Sequence, residues 1–166
     1  MLYGISKAFE ALSCLIKKIF LKVKYGKRIS FGKKVKFRKG FRINVGKNAF
    51  LSIGDGTFFN AFCSINCRGK VIIGKNNIFG EYVTLYDHNH VFNTLMFDKK
   101  ELKIGTVSIG DENWICTKSN ICSNSRIGNR CVISAGTNYN NKTSKDYVIY
   151  KGSIEEPIII RENNEQ

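Results

Sequence analysis

Both histidines of the chain lie in one run of five residues, Tyr86-Asp87-His88-Asn89-His90. Imidazole is the side chain best suited to accept a proton near neutral pH, because its unperturbed pKa is about 6.5. A neighbouring carboxylate such as Asp87 could orient one of the rings or raise its basicity. The run therefore indicates general-base chemistry. The alternative is that both histidines are polar loop residues without a role.

The same residues make a poor metal site, because two histidines and one acid in a tight run do not surround an ion. A three-histidine zinc site between subunits would need a trimer interface to repeat them. The six cysteines contain no C-x-x-C pair, and their spacing favours small buried residues in a reducing cytosol over zinc ligands or disulfides. We therefore expect no metal.

A six-residue period dominates the rest of the chain. Neither a helix, with a period of 3.6, nor a flat strand, with a period of 2, explains it. It is typical of a parallel β-helix, in which three hexapeptides close a triangular coil and residues eighteen apart stack. The clearest run, with Gly110 and Gly128 after its first and fourth members, is Ile109, Ile115, Ile121, Ile127, Ile133 and Tyr139.

The period is less regular upstream. Two shorter runs follow one another with a two-residue slip, and a third occurs among many Lys and Arg residues. The runs are Ile53, Phe59, Ile65 and Val71; Ile73, Phe79 and Leu85; and Ile29, Val35 and Phe41.

The period stops after Leu85 and resumes at Ile109. Function in a solenoid tends to lie where the repeat is interrupted. We therefore predict that residues 87–106 leave the coil as a loop, with both histidines near its root.

Length and hydropathy limit the organisation of the chain. Its 166 residues suit a single domain with a continuous core. No apolar run approaches the roughly 18 residues that span a bilayer. Lys7 and Glu10 interrupt the stretch that would serve as a signal peptide. Secretion is therefore not expected, and we predict a cytoplasmic protein.

The charge of the chain is concentrated near its N-terminus. The formal net charge is +14, and residues 1–47 hold fourteen Lys and Arg against the single acid Glu10. Lysines alternate there with apolar residues at helical spacing, which predicts a basic amphipathic helix ending near Tyr25. The apolar residues are Leu2, Ile5, Phe9, Leu12, Ile16, Ile19, Phe20 and Val23.

Three interpretations of this helix stay open. It could cap the open end or flank of the β-helix, with its lysines merely solvated. It could lie on an anionic membrane surface, at the inner face of the membrane. It could also bind an anionic polysaccharide or nucleic acid. Nucleic acid is not expected, because the basic stretch lacks a recognisable binding module.

Four segments between residues 45 and 153 resemble the hexapeptide-repeat acyltransferases, which have a left-handed parallel β-helix. The resemblance is to the sugar O-acetyltransferase branch of maltose and galactoside acetyltransferases, and its Asp-His-Asn-His version is similar to enzymes of capsule or lipopolysaccharide synthesis. The segments are Ile73-Gly74-Lys75-Asn76-Asn77, Leu85-Tyr86-Asp87-His88-Asn89-His90, Ile109-Gly110-Asp111-Glu112-Asn113-Trp114-Ile115 and Ile133-Ser134-Ala135-Gly136-Thr137.

The resemblance implies a loop histidine that acts as general base on an acceptor hydroxyl. By position His90 is the first choice, and His88 is the reserve or a partner that orients the base or the sugar. Asn60 would lie near the acceptor, and we group Asp87 with it as a substrate-binding residue. Arg68 stands where the family has an acid, which suggests an acidic acceptor.

The resemblance also implies acetyl-CoA as donor. Trp114 would flank the pantetheine arm or pack at a subunit contact. The Thr117 amide would stabilise the thioester oxyanion, Ala135 would contact the cofactor, and Lys142 would face the CoA phosphates. One departure is Cys116, where the family usually has glycine. A second is the C-terminal Gly-Asn-Pro-Ala segment, which is replaced by residues 152–156.

The sequence thus predicts an all-β protein, a left-handed parallel β-helix with an N-terminal amphipathic helix and one extruded loop. Residues 1–28 would form the helix, 29–153 the acyltransferase domain with its loop at 87–106, and 154–166 a tail. The predicted function is acetyl transfer from acetyl-CoA to a sugar or polysaccharide hydroxyl by a homotrimer with shared active sites. The alternatives are N-acylation of an amino sugar and a non-catalytic scaffold that binds membrane or acidic glycan.

Overall fold

The computed structural model describes residues 2–92, 97–152 and 158–159, with side chains described for 9–91 and 101–152. Helix α1 (Leu2–Tyr25) and a 3₁₀ turn (Gly26–Arg28) precede the strands. The strands are β1 (Ile29–Phe31), β2 (Lys36–Phe37), β3 (Arg42–Val45), β4 (Phe50–Ile53), β5 (Phe58–Phe59), β6 (Ser64–Cys67), β7 (Lys70–Ile73), β8 (Ile78–Phe79), β9 (Thr84–Tyr86), β10 (His88–Phe92), β11 (Phe97–Ile104), β12 (Thr106–Ile109), β13 (Trp114–Ile115), β14 (Asn120–Ile121), β15 (Ser125–Ile127), β16 (Val132–Ile133), β17 (Asn138–Tyr139), β18 (Val148–Tyr150) and β19 (Ile158–Ile159).

Three sheets form the faces of a triangular prism. Sheet A has the order β1-β4-β7-β12-β15, sheet B runs β2-β5-β8-β13-β16-β18 with β19 at its end, and sheet C runs β3-β6-β9-β14-β17. Every pair in these sheets is parallel except β18 with β19. The chain visits A, B and C in turn, so the predicted parallel β-helix is confirmed, with six coils along sheet B. We call the corners from A to B, B to C and C to A the first, second and third corners.

The strand register explains why the six-residue period is clearest in the second half of the chain. Ile109 pairs with Ile127, eighteen residues later, as three hexapeptides require. In the early coils Ile29 pairs with Leu51 and Leu51 with Val71, which are offsets of 22 and 20 residues. The additional residues lie in the corners, so the strands keep their alignment although the sequence period changes.

The predicted periodic residues fill the centre of the prism. All the aliphatic and aromatic members of the four runs are buried. In the early coils the core is aromatic: Phe41, Phe59 and Phe79 stack along sheet B and the second corner, with ring centroids 4.8 and 4.3 Å apart. Such stacked rings bury large apolar areas in a narrow space. All six cysteines are free thiols, and four of them are buried.

Helix α1 lies across the open end of the first coil and caps it. The carbonyl groups on this end have no further coil to accept hydrogen bonds from, and side chains of the helix supply the donors. Lys18 Nζ donates to Val35 O (2.9 Å), Lys22 Nζ to Ile29 O (2.8 Å) and Tyr25 Oη to Ile43 O (3.1 Å). Further donors are Lys17 to Phe41 O, and Arg28 to Val45 O and Gly46 O. Burial lowers the pKa of Lys17.

This arrangement corrects the predicted orientation of the helix. A cap was one of the expected roles, but its lysines were expected to face solvent. Instead several lysines face the coil, while the buried apolar residues among the described side chains of the helix are Cys14, Leu21 and Tyr25. The exposed apolar residues form what we call the outer face of α1: Phe9, Leu12, Leu15, Ile16, Ile19, Phe20 and Val23. In the part of the chain that the structure describes, no helix is long and apolar enough to cross a bilayer.

The predicted loop is a β-hairpin that leaves the third corner between coils three and four. Strands β10 and β11 pair antiparallel, with His88 opposite Ile104 and His90 opposite Leu102. The register shifts after His90, so that Val91 faces Asp98. Residues 93–96 of the loop and all of the predicted tail 154–166 except Ile158–Ile159 lie outside the described residues.

Candidate active site

Asp87 joins the hairpin to the coil. Its side chain is fully buried, and its Oδ1 and Oδ2 accept hydrogen bonds from the backbone amides of Arg68 and Gly69, both at 2.8 Å. Its own carbonyl accepts from the Gly105 amide (2.7 Å) and from the Ser123 hydroxyl (3.2 Å). Asp87 therefore holds both strands of the hairpin against the neighbouring coils.

The same carboxylate holds His88. The Nδ1 atom of His88 lies 2.9 Å from Asp87 Oδ1, and the His88 side chain is 11% exposed. An ionised carboxylate only accepts hydrogen bonds, so Nδ1 carries the proton and Nε2 of the neutral ring keeps its lone pair. His88 is thus oriented as a general base would be.

His90 has a different environment. It follows His88 by two residues in β10 and is exposed. No hydrogen bond from its ring occurs among the described residues. The Asp87 carboxylate therefore orients His88, which was the second choice from the sequence, and not His90.

Asp87 was also predicted to bind substrate, and its environment in this chain is that of an internal support. A carboxylate that is fully buried and accepts three hydrogen bonds has no exposed oxygen to offer. Its position supports the other role considered from sequence, orientation of an imidazole, and the imidazole is that of His88.

Three neighbours of His88 share the outward face of sheet C and its edge. The rings of Tyr86 and His88 have centroids 6.3 Å apart. Asn66 pairs in register with Tyr86, and Arg68 lies two residues further along. Asn66 Oδ1 and Arg68 Nε are buried and have no hydrogen-bond partner among the described residues. Such atoms are rare in folded proteins and are available to a ligand.

Arg68 was predicted to contact substrate, whereas Asn66 and Tyr86 were not. The sequence alone could have predicted part of this grouping. Side chains of a strand alternate between its two faces, so residues 66 and 68 point to the same side of their strand, and residues 86 and 88 point to the same side of theirs. That both pairs lie on the same side of sheet C follows only from the register, which pairs Asn66 with Tyr86.

The second corner carries a row of backbone amides that have no hydrogen-bond acceptor within the described part of the chain. No hydrogen bond from the amide of Glu81, Thr117 or Ala135 occurs among the described residues, and all three residues are exposed. They occupy equivalent places in coils three, four and five: Lys118 N donates to Glu81 O, and Gly136 N to Thr117 O. The predicted Thr117 and Ala135 are thus brought together.

The first corner shows why this row is unusual. There the equivalent amides are capped by Asp or Asn side chains of the next coil. Lys75 N donates to Asp111, Asp111 N to Asn129, and Asn129 N to Asp146. The hydrogen bonds from the Asn129 amide and side chain lower the pKa of Asp146. The second corner lacks such side chains at residues 81, 117 and 135, so its amides stay available for an oxygen of a ligand.

The remaining predicted residues lie on sheet B and at two different corners. Trp114 is 53% exposed on sheet B, three residues before Thr117. Asn60 lies at the second corner of coil two, where its Oδ1 accepts from the Ala61 amide (2.9 Å) and from Arg38 (3.3 Å). Lys142 lies at the third corner, where its carbonyl accepts from Arg126 N. Lys142 is therefore not brought to Trp114, Thr117 and Ala135.

One chain does not place the hairpin beside the amide row. His88 is at the third corner and Thr117 at the second, at opposite edges of sheet C. The six residues from Thr117 to Ser123 cross that sheet, and extended chain spans roughly 20 Å over six residues at about 3.3 Å each.

Among the described residues, no group of three His, Cys, Asp or Glu side chains could hold a metal ion.

No family model matches the chain, and no curated protein matches it in sequence. Solved structures do. A hexapeptide-repeat acetyltransferase from Vibrio cholerae O1 biovar eltor, complexed with acetyl-CoA, is 21% identical over 88% of this chain and 76% of its own, with a TM-score of 0.67. A galactoside acetyltransferase in complex with coenzyme A is 26% identical over 81% of this chain and 65% of its own, with a TM-score of 0.68.

A third neighbour is a point mutant of an N-acyltransferase from Bacillus cereus in complex with dTDP and coenzyme A. It is 23% identical over 86% of this chain and 88% of its own, with a TM-score of 0.58. The structural neighbours are thus hexapeptide-repeat acetyltransferases and related acyltransferases, and the chain has their left-handed β-helix fold. The predicted fold class is confirmed.

Proposed function

We propose that the protein transfers an acetyl group from acetyl-CoA to a hydroxyl of a sugar or surface polysaccharide. The observation that carries the proposal is the hydrogen bond between Asp87 and His88, which fixes an imidazole at the root of the hairpin. An isolated polar loop residue would not need a buried carboxylate to hold its ring.

In this mechanism Nε2 of His88 takes the proton of the acceptor hydroxyl as its oxygen attacks the thioester carbonyl. As the carbon–sulfur bond breaks, the His88 imidazolium returns this proton to the sulfur, so CoA leaves as the thiol and the acetyl ester forms on the sugar. Asp87 keeps the proton on Nδ1 and stabilises the imidazolium that develops. General-base assistance of this kind is worth about 10² to 10⁴ in rate. His88 replaces His90 as the first candidate for the base.

The amide row at the second corner supports the donor side. A developing oxyanion is stabilised by an N–H group whose position is already set, and the Thr117 amide has that property. The Ala135 amide, eighteen residues later, would bind the pantetheine arm, and Trp114 would flank it. The solved neighbours with acetyl-CoA or coenzyme A support this donor.

The acceptor would bind beside His88 on sheet C. Asn66 Oδ1 accepts a hydrogen bond from a sugar hydroxyl, Arg68 Nε donates one, and the Tyr86 ring packs against the sugar. Arg68 favours an acidic sugar, because its guanidinium pairs with carboxylates. Asn60, at the other corner, would contact an acceptor only on the far side of sheet C or from a neighbouring subunit.

The proposal includes a homotrimer. Because the histidine and the amide row lie at different corners of one chain, a neighbouring subunit is needed to complete each site. An outward apolar stripe on sheet B, formed by Phe58, Ile78, Trp114, Val132 and Ile149 in register, supports a subunit contact. Ile78 and Trp114 are each more than half exposed in one chain. Light scattering after size exclusion measures the state directly.

The test is an acetyl-CoA assay with a panel of neutral and acidic glycans, read as free thiol and as the mass increase of one acetyl group. His88→Ala should reduce turnover at least tens-fold without changing the oligomer. His90→Ala, run in parallel, should have a smaller effect. Loss confined to His90→Ala would return the base to that residue, and unchanged turnover in both variants would refute the mechanism.

N-acylation of an amino sugar is the second candidate, favoured by the likeness to the N-acyltransferase with bound dTDP. It would use the same donor row, but an unprotonated amine needs a base less. Hydroxyl and amino forms of the same sugar, each offered with labelled acetyl-CoA, separate the two reactions. Release of no product with any acceptor would favour a binding scaffold instead.

A further inference from the structure

The outer face of α1 is an apolar surface without a partner among the residues that the structure describes. Its seven side chains are between 52% and 81% exposed, and Val23 is the most exposed. They recur at helical spacing on the side opposite Leu21 and Tyr25, which are buried against the first coil. Monomeric soluble proteins rarely expose a continuous apolar surface of this kind, and such surfaces mark interaction sites.

The helix is held in this orientation by its own polar contacts. Lys18, Lys22 and Tyr25 donate to carbonyls of the first coil. Rotating the helix to bury the outer face would break these bonds and expose carbonyls at the end of the sheets. The apolar side therefore stays turned outward, away from the coil.

Two partners could cover this face, a second copy of the chain or an anionic lipid surface, and the surrounding charge distinguishes them. The first 47 residues hold fourteen Lys and Arg and one acid. Exposed basic side chains at this end include Lys24, Lys27, Lys34, Lys36 and Lys39. A second copy of the chain would bring an equally basic surface against this one, which like-charge repulsion opposes. An anionic lipid surface has the opposite charge and accepts apolar side chains.

We propose that the outer face of α1 docks the protein on an anionic phospholipid membrane. The helix lies in the plane of the interface, with Phe9, Ile16 and Phe20 among the acyl chains and the basic residues of the first coil at the headgroups. This inference rests on the contacts of the helix and not on the acyltransferase mechanism. It holds or fails independently of that mechanism.

The test uses the full chain with two kinds of vesicle, phosphatidylcholine alone and phosphatidylcholine mixed with phosphatidylglycerol. Sedimentation should show binding to the mixed vesicles at least tenfold tighter than to the neutral ones, and added salt should weaken it. Ile16→Ser with Phe20→Ser should reduce binding at least tenfold. Ile104→Ser, at a residue with nearly the same exposure outside the helix (56% against 59% for Ile16), should stay within twofold.

Two double variants that each remove two positive charges complete the experiment. Lys24→Gln with Lys27→Gln should weaken binding to the mixed vesicles several-fold. Lys145→Gln with Lys151→Gln makes the same charge change at the opposite end of the coil and should have little effect. Equal losses in both pairs would show that net charge alone drives binding and would overturn a docking face.

A direct readout avoids any loss of folding. Ile19→Trp adds a second indole to that of Trp114 and places it on the outer face, and the emission that it adds to that of the parent chain should shift to shorter wavelength only with the mixed vesicles. An unshifted emission together with absent sedimentation overturns the proposal. A smaller oligomer in Ile16→Ser with Phe20→Ser, with no vesicle binding by the parent chain, assigns the face to a second copy and also overturns it.

Discussion

His88 Nδ1 lies 2.9 Å from Asp87 Oδ1, and the other oxygen of that carboxylate accepts the Gly69 amide. One buried side chain thus fixes both the position of the hairpin and the orientation of an imidazole. The chemistry of the site and the attachment of the loop are therefore coupled, and a change at Asp87 should affect both.

Asp87→Asn tests this coupling. The amide replaces one accepting oxygen with a donor that faces another donor, either a backbone N–H or Nδ1–H. We expect turnover to fall at least tenfold and the unfolding free energy by about 1–3 kcal/mol, the cost of an unsatisfied buried group. The pH dependence of turnover should also shift, because the imidazolium loses its counter-charge. Kinetics across pH and urea unfolding measure the three effects.

Asp111→Asn is the matched control. Asp111 also accepts a backbone amide, that of Lys75, but at the first corner and far from the histidines. It should lose some stability and keep its turnover and pH profile. Equal turnover in Asp87→Asn and the parent chain would contradict the positioning role.

The helix caps make a stability prediction. Lys18→Met removes the ammonium donor to Val35 O, leaves the long contact from the Cys14 thiol (3.9 Å) and keeps the length of the side chain. Because the carbonyl is partly buried, the unfolding free energy should fall by about 1–2 kcal/mol. Lys27→Met removes the same charge from an exposed residue that makes no hydrogen bond among the described residues, and should change it by less than about 0.5 kcal/mol. Urea midpoints of the two variants decide; equal shifts would mean that charge, and not capping, is responsible.

Gly80 supports the amide row, and its substitution should alter donor binding. A Cβ on Gly80 would lie 2.6 Å from Thr117 N and 3.0 Å from the Cys116 carbonyl carbon, so backbone would have to move. We expect Gly80→Ala to raise KM for acetyl-CoA several-fold and to cost about 1–3 kcal/mol of stability.

Gly26→Ala separates a general loss of stability from displacement of the row. Gly26 has a φ of +57° and open space around its Cα, so alanine is strained there without a clash. Gly26→Ala should lower the unfolding free energy by about 1 kcal/mol and leave the KM for acetyl-CoA unchanged. An unchanged KM in Gly80→Ala as well would place the donor elsewhere.

The buried thiols predict a loss of stability in alkali. Burial raises the pKa of Cys63 to about 11, and burial together with the Asp87 charge raises that of Cys67 to about 12, against 9.0 for a free thiol. The folded state therefore retains protons that the unfolded state loses. Stability is complete below pH 9 and falls as pH rises towards 11, by up to about 1.4 kcal/mol per pH unit for each thiol.

Urea unfolding at pH 8 and pH 10 measures this loss. Cys63→Ser with Cys67→Ser keeps small hydrogen-bonding side chains that do not titrate in this range. Its stability should fall less between the two pH values than that of the parent chain. Parallel losses in both proteins would show that the thiols are not the cause.

Much of the fold follows from the six-residue period. The period reports which side chains point inward, and Ile109, Ile115 and Ile121 are buried on three successive faces as it requires. The interruption after Leu85 likewise located the hairpin. Corner length is not encoded in the period, so the offsets of 22 and 20 residues in the first coils appeared only in the strand pairing.

The sequence drew attention to residues of the candidate site, but their local environments depend on the fold. Two histidines within three residues differ in sequence only by their neighbours. The buried Asp87 carboxylate, held by the Arg68 and Gly69 amides eighteen or more residues away, orients His88. Likewise, the amide row is recognised because, among the described residues, its hydrogen bonds are made at the first corner and not at the second, and a single coil does not reveal this.

The sequence by itself determined the coil, the place where a loop leaves it and a helix with one apolar and one basic side, because periodic burial is a local property of side chains. Tertiary structure decided which side of that helix faces the protein. The carbonyls at the end of a solenoid need donors whatever the sequence of the coil, and this need turned Lys18 and Lys22 inward and Phe20 outward.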